Sequence, residues 1–125
     1  MDLTEEEQQL VANFVKGNTA YIYKYTNGDI EFETEEQGIV LIRDNKPYLD
    51  QFAKGKIKYC FSHKNGDIEF RTEEQGIVLI RNNESYLRKF KKGRVTYCKV
   101  FHDSDIVFET KKQGMVLIRD NKIVN

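Results

Sequence analysis

Apolar and polar side chains alternate along residues 56–62 (KIKYCFS), which is the pattern of a β-strand with one packed face. Ile57, Tyr59 and Phe61 fall on one side of this strand. Residues 67–72 (DIEFRT) alternate in the same way, whereas residues 77–81 (IVLIR) are apolar on both sides, as in a strand buried on two faces. The pattern therefore predicts three successive strands, the third of which lies in the core.

The dipeptide Asn65-Gly66 separates the first two strands. It indicates a two-residue type I′ turn, because both central residues of that turn need positive φ. Such a turn places Phe61 opposite Phe70, and likewise His63 opposite Ile68 and Tyr59 opposite Thr72. We expect one face of the hairpin to collect aromatic and β-branched side chains, which pair favourably across strands.

The connections after the second and third strands both carry helix signals. Residues 72–76 (TEEQG) have the order of a capping box followed by a glycine exit, and we interpret them as one helical turn. After the third strand, Asn83 is expected to cap a short helix over residues 85–93 (SYLRKFKKG). Tyr86, Leu87 and Phe90 form the apolar stripe of that helix.

The same pattern returns every 38 residues, so that residues 27–45 are repeated at 65–83 and at 103–121. Residues 4–17 supply a helix ahead of the first copy, with Thr4 and Glu7 as a capping box. Units of fixed period bury their apolar faces on one another. The sequence predicts an α+β fold of three tandem 38-residue α-β-β-β repeats, with antiparallel hairpins and short helices, in one compact domain over residues 1–125. The approximate repeat units are 4–44, 45–82 and 83–125.

The net charge is zero, with 20 basic and 20 acidic side chains, but the charges are unevenly distributed. Residues 1–40 hold 2 basic and 9 acidic side chains, whereas residues 81–125 hold 11 and 5. The zero net charge argues against a generically basic nucleic-acid binder. No apolar run has the length of about 18 residues that a membrane span needs. The two cysteines do not suggest a disulfide framework, and we expect reduced thiols, a cytoplasmic location and no membrane partner.

Three groups of residues supply candidate chemistry, and each has a plain structural explanation. Cys60 with His63, and Cys98 with His102, are zinc-ligand types, but the spacing of the first pair puts its side chains on opposite faces of a strand, so we predict no metal and no cofactor. The carboxylates of Glu31, Glu33, Glu35 and Glu36 are expected to be solvated rather than catalytic. The arginines that end the third strand of each unit form an anion-binding candidate if they converge, or pair with a nearby aspartate if they do not: Arg43, Arg81 and Arg119.

The most distinctive surface feature is a dense run of basic residues, which we call the basic segment. It consists of Arg88, Lys89, Lys91, Lys92 and Arg94, with aromatic residues between the charges. It is a candidate binding patch for a nucleic-acid backbone or an acidic protein. The alternative is an amphipathic helix whose charges are only solvated.

No catalytic residues are predicted, and we expect a non-enzymatic binding protein that acts through its surface. The favoured partner is another protein, and an inhibitor or immunity-type module, such as a phage or other mobile element encodes, is one form of this hypothesis. The rival hypothesis is nucleic-acid binding through the basic segment. The sequence leaves the oligomeric state and the identity of the partner open.

Overall fold

The computed structural model describes residues 2–124. Within that range, twelve strands form one mixed β-sheet, and a single α-helix precedes the first strand. The helix, α1, spans Glu5–Phe14 and is capped by Thr4, as the capping box predicts. Two four-residue 3₁₀ turns span Tyr48–Gln51 and Tyr86–Lys89. The strands are β1 (Thr19–Lys24), β2 (Ile30–Thr34), β3 (Gly38–Arg43), β4 (Lys46–Pro47), β5 (Ile57–Ser62), β6 (Ile68–Thr72), β7 (Gly76–Arg81), β8 (Glu84–Ser85), β9 (Val95–Val100), β10 (Ile106–Thr110), β11 (Gly114–Arg119) and β12 (Lys122–Val124).

The predicted α+β fold of α-β-β-β repeats is wrong: the protein is mostly one mixed β-sheet with a single short helix, and the segments expected to be helices in the second and third units begin as strands. Asn82 and Asn83 have φ values of 53° and 62° and turn β7 back into β8, with Arg81 opposite Glu84. This is the type I′ geometry that the sequence suggested for a different turn. Asn83 is therefore a turn residue rather than a helix cap, and only the short 3₁₀ turn follows.

The 38-residue period survives as three antiparallel meanders. The first meander is β1–β2–β3, the second is β5–β6–β7 and the third is β9–β10–β11. Successive meanders are joined by a parallel bridge, Gly38 to Ile57 and then Gly76 to Val95. The predicted strands agree with the observed ones to within a residue or so, but they belong to one continuous sheet.

The register of the first hairpin in the second meander differs by one residue from the prediction. The His63 carbonyl accepts a hydrogen bond from the Gly66 amide at 3.0 Å, and in this turn positive φ is confined to Gly66. The turn thus has three residues and ends on a left-handed glycine. Cys60 lies opposite Phe70, so Phe61 points to the other face of the sheet.

The core lies between the meanders, and its centre is one fully buried phenylalanine from each: Phe32, Phe70 and Phe108. In the first meander, α1 covers this layer through Val11. In the later meanders the layer is covered by the 3₁₀ turn and by the third strand of the preceding meander, for example Leu41.

The prediction that the third strand is buried on both faces holds only in part for β7, for which it was made, since Leu79 and Ile80 are buried but Ile77 and Val78 are half-buried, and it is confirmed for β3. In β11 it is wrong, since 58% of Met115 is exposed.

Gln75 links the second meander to the segment before it. Its Nε2 donates to the Phe52 carbonyl at 2.9 Å, and its Oε1 accepts from the Lys54 amide at 2.8 Å. The Thr72 hydroxyl accepts from the Gln75 amide at 3.0 Å, as predicted, but residues 73–75 form a turn and not a helix. The same contacts recur at Gln37 and Gln113. The repeated Thr-x-x-Gln motif therefore joins successive units.

Gly76 and Gly114 provide a matched test of how closely the meanders approach. Both have positive φ, 73° and 68°, so alanine costs about 1–2 kcal/mol of backbone strain at either position. A Cβ at position 76 would lie 2.8 Å from the Val95 carbonyl oxygen, whereas a Cβ at position 114 would meet nothing within 4 Å. We expect Gly76→Ala to lower the free energy of unfolding by about 1–3 kcal/mol more than Gly114→Ala, in urea denaturation. Equal losses would show that the junction is not tightly packed.

Candidate functional site

The one-residue shift in register exposes a row of aromatic side chains on one face of the sheet. Tyr23 in the first meander is 53% exposed, Phe61 in the second is 44% exposed, and Phe101 after β9 is 37% exposed. Tyr59 and Tyr97 are also exposed on the first strands of their meanders. Scattered apolar residues are normal on a protein surface, whereas a continuous aromatic patch indicates a binding surface.

Tyr23, Phe61 and Phe101 line a groove of about 830 Å³, which we call the aromatic groove, whereas Tyr59 and Tyr97 lie outside it. It spans residues of all three meanders, and its lining is mostly apolar with polar groups at a few points. That composition is typical of ligand and peptide sites. The principal lining side chains are Tyr21, Tyr23, Tyr25, Glu31, Phe61, His63 and Phe101.

Edge-to-face contacts connect the rings across the first two meanders. The ring centroids of Tyr23 and Tyr25 are 4.8 Å apart, those of Tyr25 and Phe61 are 5.9 Å apart, and those of Phe61 and His63 are 4.8 Å apart. Such contacts are favourable beyond the area they bury. The aromatic groove is therefore a packed surface whose rings are held in place before any partner binds.

Glu31 lies at the floor of the aromatic groove and is 6% exposed. Its two carboxylate oxygens each accept a hydrogen bond from a tyrosine hydroxyl, from Tyr21 at 2.5 Å and from Tyr25 at 2.6 Å. Burial, followed by the hydrogen bond to Glu31, raises the pKa of Tyr21 and of Tyr25 above the ordinary phenol value. Both tyrosines therefore remain protonated donors, and the position of the carboxylate is fixed.

The carboxylate of Glu31 forms no ion pair with any lysine or arginine among residues 2–124. In the second meander the equivalent residue, Glu69, is 7% exposed and lies 3.4 Å from His63 Nε2. In the third meander the equivalent residue is Val107. Among the residues that line the aromatic groove, the buried acidic group is therefore Glu31 of the first unit.

The basic segment is largely exposed but is not a helix throughout. Lys89 lies 3.7 Å from Glu84 and stacks over the ring of Tyr86 at 4.8 Å. Arg94 donates to the Glu74 carbonyl at 3.1 Å. The hydrogen bond from the Lys92 amide to Gln113 brings the turn that carries Lys111 and Lys112 beside the segment. We call the combined set of basic residues 88–94 and 111–112 the basic edge.

The three candidate anion-binding arginines are each paired with a different aspartate, so they do not converge. Arg43 binds both carboxylate oxygens of Asp29, at 3.0 and 2.6 Å, and donates to the Gly66 carbonyl. Arg81 binds Asp67 in the same bidentate way, and Arg119 binds Asp105. In Arg43 and Arg81 these hydrogen bonds engage guanidinium donors that an anion would need, whereas the side chain of Arg119 remains 54% exposed beside Asp105.

The cysteines and histidines are not arranged as a metal site, and no group of three metal-binding side chains occurs among residues 2–124. Cys60 is buried in the core beside Phe70, whereas His63 contacts Phe61 in the aromatic groove. Burial raises the pKa of the Cys60 thiol well above its ordinary range and that of Cys98 to about 12. Neither thiol is therefore an activated nucleophile at neutral pH.

Among the carboxylates proposed as solvated, Glu35 and Glu36 are exposed and Glu33 is half-buried, whereas Glu31 is buried. Sequence reasoning missed Glu31 because the predicted register put the aromatic side chains in the core. The signal that identifies it lies in the turn Lys64-Asn65-Gly66, which also fits a three-residue hairpin ending on glycine. That choice of turn puts Phe61 opposite Glu69 and, in the first unit, Tyr23 opposite Glu31.

Comparison with protein-family models, curated proteins and solved structures finds no match for this chain. Its functional assignment therefore depends on the aromatic groove and the basic edge themselves.

No helix within residues 2–124 has the length and apolar character needed to cross a membrane.

Proposed function

We propose that this protein is a non-enzymatic binding protein that holds a segment of a partner protein in its aromatic groove. The observation that carries the proposal is the pair of exposed rings of Tyr23 and Phe61, which both pack against the half-buried ring of Tyr25 in the groove. Aromatic side chains are enriched at the centres of protein interfaces, where they contribute large contact area at a low cost in conformational entropy. A protein that binds a partner's segment in this groove would block that part of the partner's surface, as an inhibitor or immunity-type module does.

Internal comparison of the three units supports a binding role for the groove. Positions that hold the fold are identical in all units, such as the phenylalanine series headed by Phe32 and the glutamine series headed by Gln37. Positions in the groove differ, so that Tyr23 is replaced 38 and 76 residues later by Phe61 and Lys99. The fold alone does not require a particular side chain there, which leaves these positions free to determine what binds.

The charge of the groove face favours a protein partner over a polyanion. Glu31 and Glu33 share this face with Tyr21 and Tyr23, since they are paired across β1 and β2, and Glu69 and Glu109 lie on the corresponding face of the later units. Arg71 and Lys99 are the basic residues paired on the same face. A phosphate backbone would be repelled by the excess of carboxylates.

The proposal is tested by comparing partner capture by three forms of the purified protein in native lysate. The double variant Tyr23→Ala/Phe61→Ala should lose a specifically captured protein, because each lost aromatic anchor weakens an interface by about 2 kcal/mol or more. Met115→Ala changes an equally exposed apolar residue outside the groove and should retain it. Capture that survives the double variant would contradict the proposal.

Nucleic-acid binding is a second candidate function, favoured by the basic edge. The turn at Lys111 and Lys112 adds to the positive charge of the segment that contains Lys91 and Lys92, and no residue of this edge lines the aromatic groove. Neutralising Arg88, Lys89, Lys91 and Lys92 should weaken binding of single-stranded or duplex nucleic acid and flatten its dependence on salt. No binding at low salt by the unchanged protein would exclude this candidate.

A further inference from the structure

We infer that the aromatic groove selects a cationic side chain, a lysine or an arginine of its partner, which lies between the rings of Tyr23 and Phe61 and is attracted by the carboxylate of Glu31. This inference rests on the proposed function and specifies the chemistry of the bound segment. Nothing else in the groove determines ligand charge so directly, because Glu31 is its buried acidic group in the first unit.

The first argument is the unbalanced buried charge. A carboxylate removed from water is costly unless a cation or several hydrogen bonds compensate it. Two tyrosine hydroxyls provide part of the compensation for Glu31. They are neutral donors, so the negative charge remains, and a cation entering the groove would complete the compensation.

The second argument is that the basic residues closest in sequence to the groove are engaged elsewhere or form no ion pair with its carboxylates. Lys24 is paired with Glu7 at 2.7 Å, and Lys99 stacks at 4.9 Å over the ring of Phe101, at the third-unit end of the groove, without pairing with Glu31. Lys64 lines the groove, yet within the described part of the chain it makes no ion pair with Glu31 or Glu69. The carboxylate is therefore left for a cation from outside.

The third argument is the arrangement of the rings. Tyr23 lies directly across the β1–β2 ladder from Glu31, and Phe61 lies across from Glu69. A cation over the face of an aromatic ring is attracted by the ring quadrupole, and the attraction is larger where water is partly excluded. Each aromatic ring is thus paired across its hairpin with a carboxylate, and both groups attract the same bound cation.

The test is a titration of the purified full chain that needs no partner. The probes are n-butylammonium and methylguanidinium, which reproduce the ends of lysine and arginine, with 1-butanol as an uncharged control of similar size. Binding is followed through the NMR signals of the Tyr23 and Phe61 rings. We expect either cation to bind at least tenfold more tightly than 1-butanol, and Glu31→Gln to remove at least tenfold of that affinity. Glu35→Gln, the same charge change at an exposed turn residue outside the groove, should alter it by less than twofold.

Equal binding of cations and 1-butanol would overturn the inference, even if Glu31→Gln did not fold. A Glu31→Gln protein that folds and binds the cations unchanged would overturn it as well. Either result would leave the aromatic groove free to bind a partner by apolar contact. A different outcome would contradict the proposed function alone. In that case the cations bind selectively, which supports the cation preference of the groove, but Tyr23→Ala/Phe61→Ala still captures the partner, which shows that the partner binds elsewhere.

Discussion

Deletion of residues 1–17 should unfold or aggregate the protein. Val11 of α1 is 5% exposed and packs against Ile30, Phe32 and Ile42 of the first meander. Leu10 and Phe14 add partly buried contacts to the same cluster. Burial of each such side chain contributes about 1.5–3 kcal/mol, and the sum rivals a typical total stability of about 5–15 kcal/mol. Thermal melting and size-exclusion chromatography of the 18–125 fragment measure the effect.

The deletion also removes hydrogen bonds that join the helix segment to the first meander. Gln37 donates to the Phe14 carbonyl at 2.9 Å and accepts from the Lys16 amide at 2.8 Å. Gln9→Ala, a change at an exposed residue of the same helix, is the control and should leave the melting temperature nearly unchanged. A monomeric 18–125 fragment that melts with the parent protein would refute the role of α1 as a cover for the sheet.

Asp67→Ala should strongly destabilise the protein although Asp67 lies outside the apolar core. Asp67 is 3% exposed, and its carboxylate binds Arg81 at 3.0 and 2.6 Å. Arg81 in turn donates to the Ser104 carbonyl of the next unit at 2.9 Å. Removing one partner of such a pair leaves a poorly solvated charge and costs about 3–5 kcal/mol. Urea denaturation measures this loss.

Asp105→Ala is the matched control, since it breaks the equivalent pair in the third unit. The side chain of Arg119 there is 54% exposed, compared with 16% for Arg81. An exposed guanidinium recovers water when its partner is removed, so the loss should be below about 1 kcal/mol. Equal losses for the two variants would show that burial does not determine the contribution of the pair.

The strands were predictable because their signal is local. Alternation over residues 56–62 and the apolar run at 77–81 located β5 and β7 to within a residue or so. The period of 38 residues extended the assignment to the other units. The local β-propensity and the repeated pattern indicate the same strands, and this agreement is why the strands can be predicted from the sequence.

Unlike α1, the segments that follow the third strands and the register of the hairpins were not predictable in the same way, because each depended on a choice between two turns. The pairs Asn65-Gly66 and Asn82-Asn83 both tolerate positive φ, and the second pair forms the two-residue turn. Once it does, residues 84–85 pair with β7 and too few residues remain for an α-helix. The choice at Asn65 moved Phe61 from the predicted core to the surface.

The aromatic groove could not be predicted for a further reason, which is that it is formed by residues from separate units. Tyr25 contacts Phe61, 36 residues away, only because the two meanders pack closely. By contrast, the basic segment was visible as a run of charges, and the structure adds to it only the turn at Lys111 and Lys112. The sequence therefore indicated the basic segment, whose residues are contiguous, but not the aromatic groove, which forms only when the meanders pack together.

Photocrosslinking to the captured partner tests most directly whether the aromatic groove is the binding surface. A benzoylphenylalanine placed at position 61 lies in the groove, one at position 92 lies on the basic edge, and one at position 115 lies on the exposed face of β11. We predict that the partner crosslinks efficiently from position 61 and not from the other two. Crosslinking from position 92 or 115, with none from position 61, would contradict the assignment of the groove as the site of binding.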